Sequence, residues 1–121
     1  MRYPLILLPY PPSANSLTRH RGRGVYRNPK YTRWLGAACK LRMWRNGLIE
    51  DPVAVEIRAC PPDRRRRDLD NIVKPVLDAL TRAGVWSDDH LVHRLSVLWD
   101  RENVENGVLI SITALNAGEP G

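Results

Sequence analysis

Asp63 to Leu80 reads DRRRRDLDNIVKPVLDAL: four consecutive arginines, two carboxylates two residues apart, then an amphipathic run. Leu69, Ile72, Val73, Val76, Leu77 and Leu80 recur at i, i+3, i+4, i+7, i+8 and i+11, the spacing that lays one apolar stripe along an α-helix. Gly84 closes that helix. Pro75 conflicts with a regular helix, because a proline inside one loses a hydrogen bond and clashes with the preceding turn. The spacing therefore predicts an irregular or kinked first turn, with backbone groups beside Asp68 and Asp70 free for other partners.

Upstream of this stretch, Val53 to Cys60 alternates apolar and polar residues as a half-buried strand does. Before it, Asn28 and Pro29 give an N-cap followed by proline at the first helical position. Trp34, Ala37, Ala38, Leu41, Trp44 and Leu48 then recur at helical spacing, with Gly47 as the stop. The tryptophans fall on the apolar stripe and are assigned to the core. The segment Ser13 to Asn28 is rich in Ser, Asn, Gly and Arg without a period, so it reads as a long loop lined by Arg19, His20, Arg21, Arg23 and Arg27. It serves either as a phosphate-contacting arm, with Tyr26 available for stacking, or as a disordered basic loop. Tyr3 to Leu8 is apolar on both faces and stopped by Pro9, Pro11 and Pro12, which predicts a buried first strand.

Downstream, Val85 to His90 forms a short acidic loop, and Leu91 to Trp99 and Gly107 to Ala114 read as a hairpin around the turn residues 100–106. The order β, α, β, α, β, β predicts an α+β domain: a small mixed sheet of about four strands with two helices packed on one face.

At 121 residues, 43% hydrophobic and 26% charged, the chain has the composition of a soluble globular protein. A single domain is expected over residues 1–116, with 117–121 a frayed tail. No segment approaches the roughly 20 apolar residues that span a bilayer, so no membrane partner is expected. The proline-broken N-terminal stretch reads as strand and turn rather than a signal peptide, which points to the cytoplasm. Cys39 and Cys60 lack metal-ligand or CxxC spacing and are expected as reduced core residues.

Charge is unevenly spread. Residues 1–50 carry ten Lys or Arg against one acid, whereas residues 51–121 carry nine against twelve. A solvated face accounts for isolated charges, but four adjacent arginines repel one another and call for a polyanionic partner. The two aspartates have a plain reading as helix caps, and Asp63 and Asp68 as neutralisers of the arginines. Their chemical reading is a hard-oxygen site for Mg²⁺ or Mn²⁺, which takes one or two carboxylates together with substrate phosphate oxygens. A third acid is then wanted, and Asp88 and Asp89 are the candidates. His90 and His93 are poor magnesium ligands and read as incidental. Lys74 follows Asp70 by one helical turn and could offset charge on a phosphate, although spacing alone favours an ion pair with Asp70 or Asp78.

The run DRRRRDLDN, Lys74, the segment DALTRAGVW (Asp78 to Trp86) and the pair Asp88 and Asp89 strongly resemble the RusA family of Holliday junction resolvases. PYPPSAN (Pro9 to Asn15) and RHRGRG (Arg19 to Gly24) are similar too. The resemblance implies a homodimeric, Mg²⁺-dependent, structure-specific endodeoxyribonuclease, with Mn²⁺ as a substitute, which nicks paired strands of four-way junction DNA in recombination and repair. It implies no nucleotide cofactor. It assigns metal-binding catalytic roles to Asp68, Asp70 and Asp89 and an essential basic role to Lys74. Arg67 would contact DNA, alongside Arg64, Arg65, Arg66, Arg19, Arg21 and Arg23. The alternative is a non-catalytic junction-binding or architectural protein, in which the arginines act alone and the aspartates are caps. A ribonuclease H-like nuclease places an acid on its first strand, and Tyr3 to Leu8 has none. A glycosyltransferase by its DxD motif would need a nucleotide-sugar domain that this chain lacks.

Chain geometry adds one expectation. The helix from Asp70 to Ala83 is about 20 Å long at ~1.5 Å per residue, and Gly84 to Asp89 spans at most roughly 20 Å when fully extended. Asp89 returns to Asp70 of its own chain with difficulty. The metal site is therefore expected to be shared across a dimer.

Overall fold

In the computed structural model, residues 2–12, 18–21, 24–27, 29–40, 44 and 46–115 are described. Six strands and two α-helices follow in the order β1 (Ile6–Leu8), β2 (Thr18–Arg21), β3 (Gly24–Arg27), α1 (Pro29–Lys40), β4 (Val53–Cys60), α2 (Val73–Arg82), β5 (Val92–Trp99) and β6 (Gly107–Ala114). Short 3-10 turns at Leu69–Ile72 and Asp89–Leu91 precede α2 and β5. The main sheet has the order β1-β6-β4-β5. β4 pairs antiparallel with β6 and parallel with β5, and β1 pairs antiparallel with β6.

The alternation in β4 sets the layers. Val53, Val55, Ile57 and Ala59 are buried, and the residues between them are half-buried. The buried set joins Ile6, Leu8, Val108, Ile110 and Ile112 from the neighbouring strands. Tyr31, Trp34, Leu35 and Ala38 of α1 and Val76, Ala79 and Leu80 of α2 complete the same core. Both helices thus cover one face of a four-stranded mixed sheet, as the element order predicts. Trp34 and Trp44 are buried, as expected of a core stripe, and each indole N–H reaches a carbonyl: Pro9 at 2.9 Å and Gly47 at 2.7 Å. No helix among the described residues is long and apolar enough to cross a membrane.

Several elements differ from the sequence reading. The expected hairpin of the last two strands does not form, because β4 lies between β5 and β6. The α2 crossover returns β5 parallel to β4, and the connection 100–106 passes over the end of β4. Ion pairing pins it there: the buried Asp100 accepts from Arg58 of β4 at 2.9 Å, and its backbone N–H donates to the Ala59 carbonyl at 2.9 Å. Arg58 is the chief reason that the Asp100 carboxyl is held below its usual range. The basic segment read as a loop contains an antiparallel pair, β2 with β3, in which Arg19 is in register with Tyr26 and Arg21 with Gly24.

β1 is a three-residue edge strand rather than a buried one; Leu7 on its outer face is 47% exposed. α1 ends at Lys40, short of the expected stop at Gly47, and Leu48 is exposed rather than part of an apolar stripe. Asn28, Leu41 and Arg23 lie outside the described residues, as do the side chain of Cys39 and the expected frayed tail 117–121. Cys60 is a free, half-buried cysteine on the side of β4 away from the core, not a core residue. For Pro75 the expected irregularity is present: the chain enters as a 3-10 turn, and α2 begins only at Val73. Pro75 then falls within the first α-helical turn, where its missing N–H has no intrahelical partner to lose.

Candidate active site

The charged stretch leaves β4 through Pro61 and Pro62 and folds around Asp63. The Asp63 carboxylate accepts from both terminal guanidinium nitrogens of Arg67, closely at Nη1 and at 3.2 Å from Nη2. It also accepts from the Arg65 backbone N–H at 2.9 Å and from Arg65 Nε at 3.2 Å. These interactions, the Arg67 hydrogen bond first among them, hold Asp63 far below the usual carboxylate range. Arg67 lies half-buried, with its guanidinium carbon 5.5 Å from the centre of the Tyr10 ring. Burial pushes the Tyr10 phenol up, against the opposing effect of Arg67. Asp63 therefore does what one plain reading gave it and neutralises neighbouring arginines.

That clamp sorts the four arginines by role. Arg67 and Arg65 are engaged with Asp63, whereas Arg64 and Arg66 are exposed and have no hydrogen-bond or ion-pair partner among the described residues. A fork of donors on each of these two suits phosphate oxygens. The clamp could not be read from spacing, because Asp63 and Asp68 are equally close to the arginines in sequence. Only the fold shows that the first of them takes the arginines and the second does not.

Asp68 occupies the N-cap position of the 3-10 turn, yet its side chain makes no capping hydrogen bond. Asp70 sits in the first turn and is exposed. Neither carboxylate has a hydrogen-bond or ion-pair partner among the described residues. The cap reading thus fails on geometry, and two unengaged anionic groups two residues apart stand beside free guanidinium groups. Hard carboxylate oxygens of this kind fit a divalent cation.

Lys74, on the first turn of α2, pairs with Asp78 at 3.4 Å, the (i, i+4) partner rather than Asp70. Asp78 is fixed in turn by the buried Tyr31, whose hydroxyl donates to the same carboxylate oxygen at 2.8 Å. Tyr31 is a residue that sequence reasoning missed. Its place at the third position of α1 signalled only an aromatic in an apolar stripe.

Asp88 and Asp89 stand in the segment that leads from α2 to β5. His90 Nδ1 lies 2.9 Å from Asp88 Oδ2, and this hydrogen bond is the main cause of the lowered Asp88 carboxyl. Asp88 is thereby engaged locally, while Asp89 opens the 3-10 turn before β5. Within one chain, no group of three His, Cys, Asp or Glu side chains able to hold a metal is found among the described residues. Asp68 and Asp70 belong to the 3-10 turn before α2 and Asp89 to the one before β5, and the three form no such group among the described residues. Arg19 and Arg21 lie on β2, in the separate two-stranded sheet.

Comparison with known proteins bears on this arrangement. The family model described as endodeoxyribonuclease RusA matches residues 9–113. Among curated proteins, the chain is similar to crossover junction endodeoxyribonuclease RusA of Escherichia coli O139:H28, at 39% identity over 117 residues covering 94% of this chain and 95% of the relative. It is 34% identical over 103 residues to the protein of the same name from Aquifex aeolicus, covering 84% and 82%. Against the protein of E. coli K12, identity reaches 46% over 87 residues, covering 69% and 72%. The match takes in the arginine run, both unengaged carboxylates, α2 and the acidic segment before β5, and the chain belongs to the RusA family of endodeoxyribonucleases.

Proposed function

We propose that this protein is a crossover junction endodeoxyribonuclease: it hydrolyses phosphodiester bonds in paired strands of four-way junction DNA with the help of a divalent cation. The observation that carries the reading is the pair of unengaged carboxylates at Asp68 and Asp70, set beside exposed arginines and lacking the hydrogen bonds that a capping role would require. Asp68, Asp70 and Asp89 are the residues that would hold Mg²⁺, with Mn²⁺ as a substitute. Bound there, the cation would lower the pKa of a water and offset charge on the scissile phosphate.

The chain's own residues do the rest. Arg64 and Arg66 bind phosphate oxygens from the exposed side of the loop, and Asp63 holds Arg65 and Arg67 in place, so the loop meets the DNA already ordered. Lys74 keeps its ammonium on the face of α2 next to the 3-10 turn; its pairing with Asp78 positions it, and an approaching phosphate would draw on the same charge. Arg19 and Arg21, on β2, are further candidates for contact with DNA phosphates.

The test is cleavage of a synthetic four-way junction by the protein and by Asp70→Asn, each with Mg²⁺ or with EDTA, beside a binding assay. Symmetric nicks that require both Mg²⁺ and Asp70, with binding retained in Asp70→Asn, are expected. Tight junction binding without cleavage under any metal would make the protein a junction binder and sink the nuclease reading.

A further inference from the structure

Three strands of the main sheet release the chain at the same end. β1 stops at Leu8, opposite Val108; β4 stops at Cys60, opposite Gly107; and β5 stops at Trp99, opposite Ala59. Tyr10, the Asp63 loop and the 100–106 connection follow these exits within three residues. The arginine run is therefore not alone there. Arg101 reaches it from the other segment, its Nη2 donating to the Asp63 carbonyl at 3.3 Å across 38 positions of sequence. Burial raises the Tyr10 phenol, and the charges that oppose it are Arg67 and then Arg101, so both guanidinium groups act on one ring.

An exposed arginine on a turn is in most cases simply solvated. Arg101 differs in how it is placed and in the company it keeps. Asp100, directly before it, is buried and accepts from Arg58 at 2.9 Å and from the Asn103 backbone N–H at 3.1 Å, while its own N–H donates to the Ala59 carbonyl. Val104, three residues on, is buried too. Arg101 thus projects from a backbone that is anchored on both sides, with its own side chain exposed. Glu102 and Glu105 are exposed on the same connection, yet among the described residues neither forms an ion pair with it. Its guanidinium meets a neutral carbonyl instead and uses one of five N–H donors to do so. An exposed hydrogen bond of this kind contributes little, and it sets a fifth guanidinium beside the four of the run, of which Asp63 engages two. Gathered cations of this kind repel one another in the free protein and become favourable when phosphates enter among them.

We propose, resting on the endonuclease reading, that Arg101 is a phosphate contact of the junction-binding surface, and that this surface continues from the arginine run across the end of the sheet onto the 100–106 connection. The Asp100–Arg58 pair serves it by fixing the backbone from which Arg101 projects. Together with Arg64 and Arg66, Arg101 supplies a third exposed guanidinium, and it comes from a segment that the sequence reading assigned only to a turn. Contacts of this class position DNA without reading its bases.

The test is the salt dependence of binding to a synthetic four-way junction, measured in EDTA so that no strand is cut. Arg101→Gln keeps a donor for the Asp63 carbonyl and removes the charge. It should weaken binding several-fold and lower the slope of log affinity against log salt by ~0.9 for each subunit bound. Arg101→Lys restores the charge and should restore the slope. The control is Arg2→Gln, which removes an exposed arginine bridged to Thr113 at the opposite end of the sheet and should leave the slope as it was. Circular dichroism verifies that each variant folds. An unchanged slope in Arg101→Gln, whatever its affinity, means that Arg101 only tethers the loop or is solvated, and overturns the proposal. An equal fall in Arg2→Gln means that net charge alone is responsible, and overturns it too. Mg²⁺-dependent junction cleavage by the unaltered protein, measured alongside, keeps the endonuclease reading standing in either case; an unaltered protein that neither binds nor cuts the junction overturns both.

Discussion

Asp63 carries more of the candidate site than its sequence position suggests. Its carboxyl is held far below the ordinary value of 3.8, chiefly by Arg67. A depressed folded-state value means that the stabilisation is fully present above the unfolded value, near pH 4, and is lost only as pH falls through the folded one. The 63–67 loop should thus keep its order at pH 4 and lose it under stronger acid, as a titration of the Asp63 carboxyl by NMR would record; a midpoint at or above 3.8 would contradict the clamp. Arg67→Lys should not replace the arginine, since an ammonium cannot bridge both oxygens of Asp63 with two parallel hydrogen bonds while keeping a delocalised cation near the Tyr10 ring. Junction affinity should fall by a factor of several in that variant, although the charge is unchanged. A second residue-scale constraint lies at Gly107, where a Cβ would come within 2.7 Å of the Leu8 carbonyl oxygen. Gly107→Ala should force β1 away from β6 and cost about 1–3 kcal/mol in a urea unfolding titration.

At the level of elements, periodicity gave type and missed pairing. The alternation of Val53 to Cys60 and the stripe from Leu69 to Leu80 are local patterns, and each returned the element it predicts. The neighbour relation of β5 and β6 is not local. Adjacent apolar strands around turn residues read as a hairpin, and nothing in the spacing signalled that β4 would slot between them. The residue that ties the connection to β4 is Asp100, which reads as one more turn acid until its partner Arg58, 42 positions earlier, is known. Asp100→Ala should release the 100–106 connection: the Asn103 amide, which donates to Asp100 at 3.1 Å, should lose hydrogen-exchange protection, and the thermal midpoint should fall. Unchanged exchange at Asn103 would mean that the strands themselves hold the connection. The site followed the same rule. Residue types and spacing marked Asp68 and Asp70, but the division of the arginines between Asp63 and solvent, and the Tyr31–Asp78–Lys74 chain, depend on the folded positions of the side chains.

For the whole molecule the relevant quantity is the charge distribution. The net +6 combines a strongly basic stretch, residues 1–50, with a mildly acidic remainder, in which the acids include those of the candidate site. A junction brings many phosphates near the basic part, and each neutralised phosphate releases counterions, so affinity should fall steeply with salt. Arg64 and Arg66 are the members of the run that Asp63 leaves free. Their joint replacement, Arg64→Ala with Arg66→Ala, should flatten the slope of log affinity against log salt by about 2 for each subunit bound, at ~0.9 for each phosphate that is no longer neutralised. On the proposed reading, Asp70→Asn removes a negative charge from the surface that meets the same phosphates. It should leave that slope unaltered and tighten binding slightly while abolishing cleavage, because a carboxylate without its cation only repels the DNA. The two variants together separate holding from cutting. An unchanged slope in the arginine variant, or a loss of affinity in Asp70→Asn, would show that the arginines and the aspartates do not divide the work in this way.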